Sequence, residues 1–147
     1  MSKVNRMAGW EPRVLASSEV REALSRLKWT QQMLAVKLGI SSNTVSRWTT
    51  GASEIPVWLA DYLDALEVTY RPSDAVAKPR QLTGEDLKSI LLELGWTQTY
   101  LARRIDVVKT TVSRWGTGEY IVPAWVCAYL VPMLEIRRIA VRLGVSK

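Results

Sequence analysis

The chain has 147 residues, a single cysteine, no histidine and a formal net charge of +6. That inventory excludes zinc-finger ligand sets, histidine general bases and Ser/His or Cys/His nucleophile pairs, and it leaves Cys127 as a small buried thiol rather than part of a disulfide framework. No apolar run approaches the ~18 residues of a membrane span, and the N-terminus lacks the apolar core of a signal peptide, so a cytoplasmic location away from membranes is expected.

In chain order, residues 1–17 read as a flexible basic arm in which Lys3, Arg6 and Arg13 serve either as phosphate contacts or as solubilising charges. A first helix follows Ser17 and Ser18 and runs from Glu19 to Leu27, with Val20, Ala23, Leu24 and Leu27 at helical spacing. Thr30 caps a second helix, Gln31 to Leu38, stopped by Gly39. Ser41 caps a third, from Ser42 to about Thr49, which Gly51 ends. Pro56 fits the first position of a fourth helix reaching about Leu66. Residues 68–82 hold Pro72 and Pro79 with no sustained period and read as a linker. Extended at ~3.3 to 3.6 Å per residue, it spans roughly 50 Å.

The plan then repeats. Thr83 and Asp86 form a capping box, and Gly95 stops the helix that ends at Leu94. Thr97 caps Gln98 to Ile105, a further helix covers about Lys109 to Gly116, and Pro123 opens the next. Pro132 is expected to break that helix and start a separate final one through Leu143, stopped by Gly144. Residues 27–66 slide onto 94–133 without a gap and share seventeen of forty positions. The chain thus reads as two tandem all-α units, 18–67 and 83–147, each to be understood as one folding unit. Six of the seven Trp fall in the repeat, which fits two small cores; Trp10 stands apart.

The excess positive charge lies in residues 1–18, 68–83 and 135–147, at +2, +2 and +3, whereas residues 19–67 and 84–134 sum to −1 and 0. Within the repeats, residues 29–51 contain Lys37 and Arg47 with no acid, and residues 96–118 contain Arg103, Arg104, Lys109 and Arg114 with only Asp106. An acid-poor segment between basic connectors fits binding to a phosphate backbone, although a solvated basic face reads the same way.

Trp29-Thr30-Gln31, Leu34-Ala35, Gly39-Ile40-Ser41, Thr44-Val45-Ser46-Arg47-Trp48 and Gly51 together resemble the lambda-repressor and Cro family of helix-turn-helix domains, and the likeness returns in residues 84–133. The resemblance implies two tandem domains of about four to five helices each. Their recognition helices, near 42–49 and 109–116, would enter the major groove of double-stranded DNA. It places Ser42, Asn43 and Ser46, and Lys109, Thr110 and Ser113, at base edges. Gln31 and Gln98 would contact phosphate and brace the recognition helix. Arg47 and Arg114 would contact backbone or base, or else stabilise the module beside Trp48 and Trp115. Asp106 and Val108 depart from the pattern, one bringing negative charge toward the DNA side and the other unable to cap.

The function so implied is a sequence-specific transcription regulator, a repressor or autoregulator, with no enzymatic activity and no cofactor. No carboxylate cluster, phosphate-cradling loop or metal-ligand set is visible, and Asp61, Asp64 and Glu67 read as a solvated face. Homodimerisation through the C-terminal helix, Leu134 to Leu143, is one expected mode of assembly. The alternative is a protein partner: an inhibitor or antitoxin that uses the same fold to block a nucleic-acid enzyme or toxin.

Overall fold

The computed structural model describes residues 11–71, 74 and 78–144. These form eight helices and, among the described residues, no strand: α1 Ser17–Leu27, α2 Gln31–Leu38, α3 Ser42–Thr50, α4 Val57–Thr69, α5 Gly84–Leu94, α6 Gln98–Ile105, α7 Lys109–Thr117 and α8 Ala124–Arg142. Of the expected basic arm, Lys3, Arg6 and Trp10 lie outside the described residues. Leu15 is buried, Ala16 precedes α1 as its N-cap, and Arg13 pairs with Asp64 at 2.8 Å.

The boundaries follow local chemistry. Thr30, Ser41, Thr83 and Thr97 each accept a hydrogen bond from a backbone N–H in the first turn of α2, α3, α5 and α6, satisfying a donor that the helix itself cannot. Helix α1 is capped differently: Glu19 Oε1 accepts from the Ala16 N–H at 2.7 Å, so the helix starts two residues before the expected Glu19. Pro56 and Pro123 sit one position outside α4 and α8 rather than inside them. Asp106 takes the left-handed conformation that Gly39 takes in the first turn, with φ 60 against 68.

One expectation fails at Pro132. Helix α8 runs through it unbroken, so the separate final helix is the second half of α8. The missing N–H leaves the Ala128 carbonyl without its intrahelical donor, a penalty of about 3 kcal/mol. Tertiary contacts on both sides of the proline outweigh it: α8 packs along α4 and α5, and Arg138 holds Glu93 on α5 at 2.7 Å.

The two sets of four helices pack against each other; residues 72, 73 and 75–77 of the expected linker lie outside the described residues. Their buried residues form one continuous cluster, and α4 lies along α8, with α2 also touching α8 and α6 touching α4. Trp58 stacks on Trp125, its equivalent in the repeat, with ring centroids 4.7 Å apart and planes 14° apart. Trp48, Tyr62 and Tyr129 meet Trp58 edge-on, the favoured aromatic geometry when a quadrupole's edge faces another's face. The turn at Gly39 abuts the start of α8 so closely that a Cβ there would lie 2.6 Å from Ala124 Cβ. Reciprocally, Asp106, which aligns with Gly39, shares a cleft with Val57, which aligns with Ala124. Equivalent surfaces meet each other, as in a contact around a two-fold axis. Small units of this size have marginal separate cores, and the indoles expected to fill two of them meet in one.

Candidate nucleic-acid interface

Helix α3 stands on the molecule with one side sealed and the other open. Val45, Trp48 and Thr49 are buried, as are Leu34, Ala35 and Leu38 of the neighbouring α2, while Ser42, Asn43 and Arg47 are exposed and Ser46 is half-buried. Helix α7 repeats the division: Val112, Trp115 and Gly116 are buried, Lys109, Thr110 and Arg114 are exposed, and Ser113 is half-buried. In each case the first turn and outer face carry hydroxyl, amide or cationic groups with no carboxylate on the helix. These are the groups that can donate to and accept from base edges, or donate to phosphate oxygens.

Gln31 is exposed at the first turn of α2, and its Nε2 donates to Thr49 Oγ1 at 3.1 Å, while that hydroxyl donates to the Ser46 carbonyl at 2.9 Å. Arg21 of α1 donates to the Thr49 carbonyl from the other side. The end of α3 is therefore tied to both α1 and α2. In the second set Gly116 occupies the position of Thr49, and Gln98 Nε2 lies 3.1 Å from where a Cβ on Gly116 would stand. Gln98, half-buried, crosses α7 at the same place without a hydroxyl to bond.

The two arginines differ. Arg47 makes no ion pair among the described residues. Arg114 donates to Tyr120 Oη at 2.9 Å, lies 5.3 Å from that ring's centre and approaches Glu119 at 3.8 Å. Tyr120 was not legible as a site residue, because it aligns with Ser53 and sits outside the helix-turn-helix pattern. Its sole signal is an aromatic residue six positions after an arginine on a helix that ends at Gly118.

Of the three acids expected on a solvated face, Asp64 and Glu67 are exposed and Asp61 is partly buried, and each pairs with an arginine. Asp61 pairs with Arg104 of α6 at 2.9 Å, with the side chains only 20% and 12% exposed, Asp64 pairs with Arg13, and Glu67 with Arg26. Asp106 is exposed and lines an open cleft together with Ile55, Pro56 and Val57. Val108 gives α7 no side-chain cap. The Cys127 thiol is buried, and that burial raises its pKa. No grouping of residues suited to a metal ion, and no helix long and apolar enough to cross a membrane, is found among the described residues.

No curated protein and no solved structure matches this chain. Residues 19–57, from the first turn of α1 to the first residue of α4, match the model of the Helix-turn-helix family.

Proposed function

We propose that this protein is a sequence-specific, double-stranded DNA-binding transcription regulator, a repressor or autoregulator, that carries two helix-turn-helix heads in one chain. The observation that carries this reading is the repeated, one-sided exposure of polar groups on α3 and α7. Ser42, Asn43 and Arg47 on one helix, and Lys109, Thr110 and Arg114 on the other, face solvent from a packed support. In this reading Asn43 makes a bidentate contact with adenine, Lys109 donates to guanine O6 or N7, and Ser46, Ser113 and Thr110 add base-edge or phosphate contacts. Gln31 braces α3 from behind through Thr49, Gln98 lies at the equivalent place beside Gly116, and both reach phosphate.

Because α4 and α8 already pair equivalent faces, one chain supplies what two chains of a dimeric regulator would. Ser42-Asn43 differs from Lys109-Thr110, so the preferred site is a pseudo-palindrome with unlike halves. Homodimerisation through α8 would then yield four heads, a state that sedimentation distinguishes from a monomer.

The test is selection from a random duplex library followed by titration of the winning duplex at several salt concentrations. The expected result is a bipartite motif and a log-log salt slope of about −0.9 per neutralised phosphate. Binding without sequence preference and without a salt slope refutes the proposal.

A second reading, a protein-blocking inhibitor or antitoxin, draws on the exposed apolar groups before and after α7: Val108 is 67% and Ile121 78% exposed, and Arg114 of that helix is tethered to Tyr120. Alanine at Asn43, Arg47, Lys109 and Arg114 separates the two. Loss of DNA binding and of biological activity together supports the first, and activity retained without DNA binding supports the second.

A further inference from the structure

Between the two sets of helices lies a polar cluster that the DNA-reading surfaces do not use. Arg104 of α6 donates from Nη2 to Asp61 Oδ2 of α4 at 2.9 Å, and Tyr129 of α8 donates its hydroxyl to the same oxygen at 3.2 Å. The guanidinium also lies 4.6 Å from the centre of the Trp96 ring and 5.6 Å from that of Tyr100, and bonds Tyr100 Oη at 3.4 Å. A largely desolvated, charge-assisted bond of this kind is directional, and breaking it strands a buried charge.

Its placement gives it a consequence for α7. Arg104 sits on α6, the helix packed against α7, and Asp61 sits on α4 of the other set. The bond therefore joins the support of the second recognition helix directly to the body that holds the first. It is also one-sided. The repeat equivalents of Arg104, Asp61 and Tyr129 across the interface are Lys37, Ala128 and Tyr62, where no carboxylate is present. The Tyr62 hydroxyl is fully buried and finds no hydrogen-bond partner among the described residues.

We propose that Arg104, Asp61 and Tyr129 are positioning residues that fix the separation and relative rotation of the two heads, so that the spacing between half-sites is part of this protein's DNA specificity. The proposal rests on the two-headed reading above. One base pair moves a half-site by ~3.4 Å along the duplex and rotates it by roughly 35°, a displacement that a directional, largely buried bond resists.

The experiment uses the full chain and duplexes carrying the selected bipartite motif, with its centre lengthened or shortened by one and two base pairs. Wild type is expected to lose at least about tenfold in affinity for a one-base-pair change. Asp61→Ala and the milder Tyr129→Phe, which removes one hydroxyl, are expected to flatten that profile to within about threefold while keeping the salt slope on the best duplex, because both heads still engage. The exchange Asp61→Arg with Arg104→Asp is expected to restore discrimination. A Tyr129→Phe protein that folds and keeps the wild-type spacing profile overturns the positioning role, as does a wild type indifferent to spacing. If wild type binds the isolated half-site with a steep salt slope but ignores spacing, the inference falls and the DNA-binding reading stands. If it binds no duplex, both fall.

Discussion

Gly39 offers a direct measurement of how firmly the two sets of helices are joined. It has φ +68, and a Cβ added there meets Ala124 Cβ at 2.6 Å, whereas Gly95 has φ +76 with nothing within 4 Å of an added Cβ. Replacing either by alanine imposes the left-handed penalty of about 1–2 kcal/mol. Only Gly39→Ala adds the overpacking of α8 against the turn, about 1–3 kcal/mol. The expected destabilisation is therefore about 2–5 kcal/mol for Gly39→Ala and about 1–2 kcal/mol for Gly95→Ala.

Ala124→Gly removes the opposing methyl group, at a cost of about 0.5–1 kcal/mol as a glycine in the first turn of α8. Combined with Gly39→Ala, it should recover most of the overpacking, leaving a coupling of about 1–3 kcal/mol in the double-mutant cycle. Urea unfolding of the four proteins, with equal m-values as the check on two-state behaviour, supplies the free energies. Equal losses for Gly39→Ala and Gly95→Ala, or a coupling below about 0.5 kcal/mol, would refute the packed arrangement of α2 on α8.

Three further outcomes follow from the same structure. Asn43→Ala and Lys109→Ala should each weaken binding to the selected duplex by about 1–3 kcal/mol, roughly 5- to 150-fold, and relax preference at one base position, as read by fluorescence anisotropy; unchanged base preference argues against direct readout. Val108→Ser should raise stability by about 0.5–2 kcal/mol, because it places before α7 the hydroxyl that Ser41 supplies before α3 at 3.2 Å from the Thr44 amide, while Val108 is itself mostly exposed; an unchanged melting temperature counts against it. Asp86 is held below the usual carboxylate range by the Thr83 backbone N–H and then its side chain, and Glu93 by its bond to Arg138. Lowered folded-state pKa values mean that their stabilisation is present above the ordinary carboxylate range and is lost as pH falls through the folded values. Melting temperature should accordingly drop below about pH 4, and less so in Asp86→Asn/Glu93→Gln; identical acid limbs would exclude these contacts as the cause.

Periodicity and capping chemistry made most helix limits legible, because they are decided within one turn of chain. Thr30, Ser41, Thr83 and Thr97 cap where their hydroxyls reach the next turn's amides, and Gly39, Gly51, Gly95 and Gly118 turn left-handed where they follow a helix end. The exposed faces of α3 and α7 were equally readable, since a buried Val-Trp stripe on so short a helix leaves a single open side. Pro132 was misjudged because its local penalty was visible and the flanking packing of α8 was not. Asp61 reads as a solvated acid along the chain because its partner, Arg104, lies forty-three residues away, and no local spacing reports a contact between different helices. Tyr120 escaped for a similar reason: its bond to Arg114 depends on how the chain turns after Gly118.

By itself, the sequence determined the helix limits and the polar side chains that α3 and α7 present, since capping and periodicity depend on short-range order. Only the tertiary structure decided how the copies meet. The Trp58–Trp125 stack, the Gly39–Ala124 approach and the Asp61–Arg104 bond join residues forty to eighty-five positions apart. Their geometry depends on the shapes of both finished surfaces, which no pattern along the chain encodes.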